Sequence, residues 1–222
     1  YKLCEDEELE RICKSPRHQG VVAMIEEPVV EPVGKADVER WAGEGKTGLV
    51  LHSVGNDHNL GAMVRSAAFF DAPFIILSEG DSEARLTTSA YRVAEGGMEQ
   101  VLFRKVGDTG AFIKSLSRSV VTIGADARAR LRIRDLGVII REKGGLLRRG
   151  AAGEGGPGYA GTGIADYARP GVAVVVGNEE TGLPREVKDH CSALVRIPGT
   201  GIIESLNVAQ AATLFLHEIY EL

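Results

Sequence analysis

Short, continuously apolar, β-branched runs constrain the fold of this chain more than any other feature. They are GLVLHSV after Thr47, then FIIL, VLF, VVTIGA, GVAVVV and ALVRI. A strand with one wet face alternates apolar and polar residues, whereas runs without alternation are buried on both faces. Segments of helical spacing lie between them. One starts at Asn59, read as its N-cap, and runs to about residue 70 with Leu60, Met63, Val64 and Ala67 at helical intervals. Residues 89–95 form a second, closed by Gly96-Gly97, and Asp108 caps a third through Leu116. Val208, Ala211, Ala212, Phe215, Leu216 and Ile219 mark the buried stripe of a last helix. Strands alternating with helices read as an α/β fold, with a mainly parallel sheet flanked by helices on both faces.

The 222 residues suit one domain of ordinary size. Net charge is −5, which argues against a surface that binds polyanions everywhere. A local basic run remains, in Arg128, Arg130, Arg132, Arg134, Arg141, Lys143, Arg148 and Arg149. The histidines and cysteines form no ligand cluster, so no metal is expected. Cys4, Cys13 and Cys191 are not paired in a C-x-x-C, which points to a reducing, cytoplasmic setting. No stretch approaches 18 uninterrupted apolar residues, and the acidic N-terminus has no apolar core, so neither a membrane span nor a signal peptide is expected.

Residues 1–33 read as a short helix over 5–13 with Leu9 and Ile12 turned inward, followed by a VVAMI strand. That is too little to close a core alone. Residues 34–46 read as a linker with a short helix near Val38 to Trp41. Between Gly144 and Gly163, nine of twenty residues are glycine, and the periodicity is lost. We read about 143–165 as a flexible insertion, either without a role or gripping a substrate.

Ligands of open parallel sheets sit outside the carboxyl ends of strands. Three such ends carry unusual polar loops: GNDHNLGAMVRSAA, GNEETGLP and PGTGIIESLNVA. Each has an ordinary structural reading. GNEETGLP can be a turn into a helix, and it lacks the spacing and lysine of a phosphate loop. Asn59 can be a cap and Arg65 a solvated charge; Ser205 and Asn207 can cap the last helix.

Taken together and in order, NLGAMVRSA, GNEETGL and IPGTGIIESLNVAQA resemble the three motifs of the SpoU, or TrmH-like, branch of the SPOUT RNA methyltransferases. HQGVVA and RVAEGGME resemble the same family. The resemblance covers about residues 47–222 as the methyltransferase domain. It implies a C-terminal deep trefoil knot, bound S-adenosylmethionine, a homodimer and methyl transfer to a ribose 2′-hydroxyl in tRNA or rRNA. It also implies that residues 1–33 are the remnant of an L30e-like RNA-binding domain. Gly177, Asn178, Ile197, Gly201 and Leu206 would line the cofactor pocket. Arg65 would act near the ribose and its phosphate, Asn59 would position the loop or the substrate, and Glu179 would tie the second loop in place. Ser205 and Asn207 would organise the substrate side. A protein that keeps the pocket but has lost turnover, acting as an RNA-binding or assembly factor, is the alternative.

The chain departs from the family pattern in places. Asp57 stands where a proline is usual, and an acid there is expected to repel phosphate locally. Gly199-Thr200-Gly201 replaces a segment that commonly holds methionine.

Overall fold

The computed structural model describes residues 1–222 except 17, 27, 81–84 and 154–168; of 148–153 it describes the backbone alone. The apolar runs form β1 (Thr47–Leu51), β2 (Phe74–Ser78), β3 (Leu102–Val106), β4 (Val121–Ala125), β6 (Val172–Val176) and β7 (Ala193–Arg196). A two-residue β5 (Leu131–Arg132), not foreseen from the sequence, adds an edge. The order is β3-β2-β1-β6-β4-β7-β5, and every pairing is parallel. Thus β6 enters between β1 and β4, and β7 between β4 and β5. The last two strands are laid between neighbours formed earlier in the chain, an interleaving that a threaded C-terminus requires.

Pleating sorts the strand residues into two cores. Leu49, Leu51, Ile75, Val172, Val174 and Val176 face one way; Val50, Phe74, Ile76, Ala173 and Val175 face the other. On the first face lie α3 (Asp57–Phe69), α4 (Thr88–Ala94), α6 (Leu136–Gly153) and α8 (Val208–Tyr220); on the second, α2 (Lys35–Glu44), α5 (Thr109–Leu116) and α7 (Arg185–His190). The periodic residues of α8 that are buried are Val208, Ala212, Phe215, Leu216 and Ile219. Helices α3 and α8 run side by side, joined by a 2.7 Å hydrogen bond between the Ser66 and Thr213 hydroxyls.

Four expectations change. The first helix, α1 (Asp6–Cys13), buries none of its residues, and Ile12 is 44% exposed. Residues 21–25 form no strand; Val21, Met24 and Ile25 are exposed, and among the described residues no strand pairs with them. Instead Pro32 forms an isolated parallel bridge with Lys105 of β3. Residues 34–46 are not a mere linker, because α2 buries Trp41 flat against Phe74, with ring centroids 5.0 Å apart.

The glycine-rich stretch also begins as helix, since α6 continues to Gly153. Its glycines cost helix stability, but at Gly144 a side chain would sit 2.7 Å from Pro170 Cγ. The missing Cβ lets the chain entering β6 pack against α6, and Leu147 keeps the helix on the core. Residues 154–165 of the expected insertion lie outside the described residues.

Candidate active site

The polar loops after β6 and β7 meet the end of β4 around a cavity of about 340 Å³, and the loop after β1 is hydrogen-bonded to them from outside its lining. Val176, Leu183, Val195, Ile197, Leu206 and Phe215 give it apolar walls. Asp126, Glu179, Glu180 and Glu204 put carboxylates on its lining, with Arg128, Lys188 and Arg196 among them. Its volume is at the small end of ligand pockets, which run from about 300 Å³ upward. Apolar walls with backbone amides close by suit a flat heteroaromatic ring, and the carboxylates suit a cationic group.

The loop after β6 is held by its own asparagine. Asn178 Oδ1 accepts from the amides of Glu180 (2.9 Å) and Thr181 (3.1 Å), while its Nδ2 donates to the Ser53 carbonyl at 3.0 Å. Asn178 therefore shapes the loop and ties it to the end of β1, besides lining the cavity. The close approach that Gly177 permits is to the loop's own backbone at Gly182 and Leu183.

A directed chain of hydrogen bonds joins all three loops. Asn59 Nδ2 donates to Glu179 Oε1 at 2.7 Å, and Asn207 Nδ2 donates to Asn59 Oδ1 at 3.0 Å. Asn207 Oδ1 then accepts from the amides of Ala209 (2.9 Å) and Gln210 (3.3 Å), capping α8. An ionised carboxylate only accepts, so Glu179 fixes the orientation of Asn59, which fixes that of Asn207. Both readings of Asn207 hold at once, since it caps the helix and belongs to the site. The cap of α3 is corrected. It is Asn56, whose Oδ1 accepts from His58 and Asn59, leaving the Asn59 side chain for the other loops.

The remaining expected residues divide. Gly177, Glu179, Ile197, Ser205 and Leu206 line the cavity. Gly201 does not: it is an exposed tip residue at φ +83°, where glycine turns the loop without strain. Arg65 does not line it either. Its Nη1 lies 3.0 Å from Glu95 Oε1 on the exposed side of α3. Asp57 is not a free acid facing the site. Its carboxylate accepts from the Arg85 amide (2.9 Å) and the Thr87 hydroxyl (2.7 Å), anchoring the start of α4.

The end of β4 was missed. Asp126 there accepts from the Arg128 amide at 2.9 Å and pairs with Lys188 at 2.9 Å. The rule that directed attention to the other strand ends applied equally to VVTIGA-Asp-Ala-Arg, while Lys188 on α7 left no signal. Burial pushes the Asp126 carboxyl upward, but the Arg128 amide and the Lys188 ammonium outweigh it and hold it below its ordinary value. A depressed carboxylate adds stability above its ordinary value of 3.8, and that stability is lost as pH falls through the folded value. Urea melts between pH 6 and pH 3 are therefore expected to show a smaller acid loss in Asp126→Asn than in the parent.

The cavity lies outside the carboxyl ends of an all-parallel α/β sheet, beside the returning C-terminal helix, which is where open α/β sheets of this class bind their ligands. Residues 46–217 match the SpoU rRNA Methylase family, and the chain belongs to it. It is 31% identical over 212 residues to the 23S rRNA (guanosine-2′-O-)-methyltransferase RlmB of Acinetobacter baylyi, covering 95% of this chain and 73% of the relative. The RlmB of Bordetella pertussis is 29% identical over 215 residues, covering 96% and 74%. Among solved structures, an AdoMet-bound rRNA methyltransferase from Sinorhizobium meliloti superposes with a TM-score of 0.71 at 24% identity, covering 96% of this chain and 69% of that one. That likeness establishes the SPOUT fold.

Proposed function

We propose that the chain is an S-adenosylmethionine-dependent methyltransferase acting on a ribose 2′-hydroxyl of rRNA or tRNA. The observation that carries this reading is the Glu179–Asn59–Asn207 chain of hydrogen bonds, which draws three distant segments together beside one adenosine-sized cavity. The names of the relatives point to the same chemistry, and to ribosomal RNA first.

S-adenosylmethionine, when bound, supplies an electrophilic methyl on a sulfonium. The protein's work is alignment, charge and exclusion of water. Gly177, Ile197 and Leu206 hold the adenosine against apolar walls and backbone. Glu179 and Asn59 keep the second loop closed on the first, and Ser205 and Asn207 present the opposite wall to the ribose. Arg65, permanently charged, clamps an RNA phosphate and polarises the hydroxyl, whose proton leaves to solvent or phosphate.

Arg65 stands away from the cavity, and Phe69, one turn on, is 79% exposed on the same face. Leu214 (42%) and Tyr220 (56%) of the neighbouring α8 add exposed apolar surface, and the Tyr220 ring lies 5.7 Å from that of Phe70. We infer a homodimer across α3 and α8, which sets Arg65 at the seam. Among the described residues no helix is long and apolar enough to cross a membrane. We infer a cytoplasmic protein, a setting that suits an RNA substrate and three unpaired cysteines.

The position of Arg65 also favours the second reading, a retained pocket without turnover. Calorimetry with S-adenosylmethionine, followed by methyl transfer to rRNA and tRNA, decides between them. Arg65→Ala is expected to bind the cofactor as the parent does and to lose at least about tenfold in transfer, as a clamping charge should. Transfer at the parental rate would remove Arg65 from the mechanism; cofactor binding without transfer by the parent would establish the second reading.

A further inference from the structure

The basic run noted in the sequence has no part in the site as described so far, yet the fold delivers its first half to the cavity. Arg128 lines the cavity. Arg130, Arg132 and Arg134 follow along the edge strand β5 and the turn after it. Arg132 is the direct cross-strand partner of Arg196, itself a cavity residue. Like charges set opposite each other on neighbouring strands repel and cost stability, so the arrangement favours an anion between or above them.

The pairing pattern isolates this edge. Arg128 reaches Glu204 at 3.6 Å, with both side chains at least 85% exposed, and Arg134 lies 3.9 Å from Asp135. Among the described residues the guanidinium groups of Arg130, Arg132 and Arg196 form no ion pair, although the Asp135 carboxylate accepts from the Arg132 backbone amide at 2.9 Å. In a chain of net charge −5 this is a cationic ridge running from the cavity outward along the sheet edge. It is made of guanidinium forks, which match phosphate oxygens two at a time.

We propose that this ridge seats the RNA backbone: Arg130, Arg132 and Arg196 hold phosphates flanking the ribose presented to the cavity, and Glu204 restrains Arg128 until a phosphate takes its place. The inference rests on the methyltransferase reading, because a ribose delivered to the cavity brings its own phosphates to the rim. An acidic peptide would satisfy the same charges but has no reason to end at the cavity.

The test is binding of a labelled 20-nucleotide oligo-uridylate and of purified 23S rRNA across a range of salt. Alongside it, S-adenosylmethionine binding is measured by calorimetry. Arg130→Gln/Arg132→Gln is expected to weaken oligo-uridylate binding about tenfold near 0.1 M salt. The slope of log affinity against log salt should fall by about 1.4, or 0.7 per lost phosphate contact on a single strand. Arg130→Lys/Arg132→Lys should keep most of the slope. Glu204→Gln should act oppositely and tighten RNA binding by about two- to fivefold, as expected for release of one exposed ion pair.

An unchanged slope in the glutamine variant, with cofactor binding and RNA methylation intact in the parent, overturns the ridge and leaves the methyltransferase reading standing. Poly-glutamate is titrated in parallel, and loss of its binding without loss of RNA binding overturns the ridge in favour of an acidic protein partner. If the parent neither binds S-adenosylmethionine nor methylates RNA, the underlying reading fails instead. Single Arg130→Gln, on an exposed residue, repeats the measurement with the least disturbance to folding.

Discussion

Gly177→Ala is expected to abolish S-adenosylmethionine binding and to destabilise the fold by about 2 kcal/mol, the usual cost of forcing a methyl into filled space. The added Cβ would sit 2.5 Å from the Gly182 carbonyl oxygen and 2.6 Å from the Leu183 nitrogen. Those neighbours are backbone, so they cannot swing aside as a side chain would. The loop is closed by the Gly182 amide donating to the Asn178 carbonyl at 2.9 Å, and Gly182 holds φ +67°. Relieving the clash means opening that loop, which withdraws Asn178, Glu179 and Leu183 from the cavity together. Calorimetry gives the binding loss and urea unfolding the stability. An alanine variant that binds cofactor within twofold of the parent would show that the loop yields cheaply.

Asn207→Asp is expected to separate the two tasks of this residue. Aspartate caps helices as well as asparagine does, so the bonds to Ala209 and Gln210 persist and the melting temperature should stay within a few degrees. The donor to Asn59 is lost, however, and a carboxylate then faces Asn59 Oδ1. Asn59 cannot turn its amide over to compensate, because that would aim its oxygen at Glu179. The chain of bonds breaks at its centre and the walls of the site move apart. A displacement of about 1 Å at a reacting centre costs on the order of a hundredfold, so kcat/KM should fall by about that factor. Asn207→Ala loses the cap as well, with about 1 kcal/mol of stability. If the aspartate variant methylates at the parental rate, the network does not position the site.

Much of this was legible in the sequence. Unalternating runs such as VAVVV specify a strand buried on both faces, and the pleat of β1 and β6 divides its residues between two cores accordingly. The loops at the ends of β1, β6 and β7 announced themselves because polar groups and glycines there had no packing reason. Local reasoning failed where long-range partners decide. Asn59 satisfied every local rule for a helix cap, but Asn56 holds that place, and only Glu179, 120 residues away, shows what the Asn59 side chain does. VVAMI has strand composition, yet no neighbouring edge takes it up, whereas two-residue β5 exists because β7 lies beside it. Gly144 looked like a break in structure, but it is the gap that Pro170 fills. Arg65 matched a motif, and its pairing with Glu95 away from the cavity could be seen only in three dimensions.

This cavity is expected to deliver a methyl group to a ribose 2′-oxygen. Alkaline hydrolysis of RNA needs a free 2′-hydroxyl, so methylation there leaves an uncut linkage. Incubating the purified chain with methyl-labelled S-adenosylmethionine and unmodified 23S rRNA, then digesting in alkali, reads the site of transfer directly. Label is expected in alkali-resistant dinucleotides, lost with Gly177→Ala and reduced about a hundredfold with Asn207→Asp. Label recovered only in mononucleotides would place the methyl on a base and contradict it.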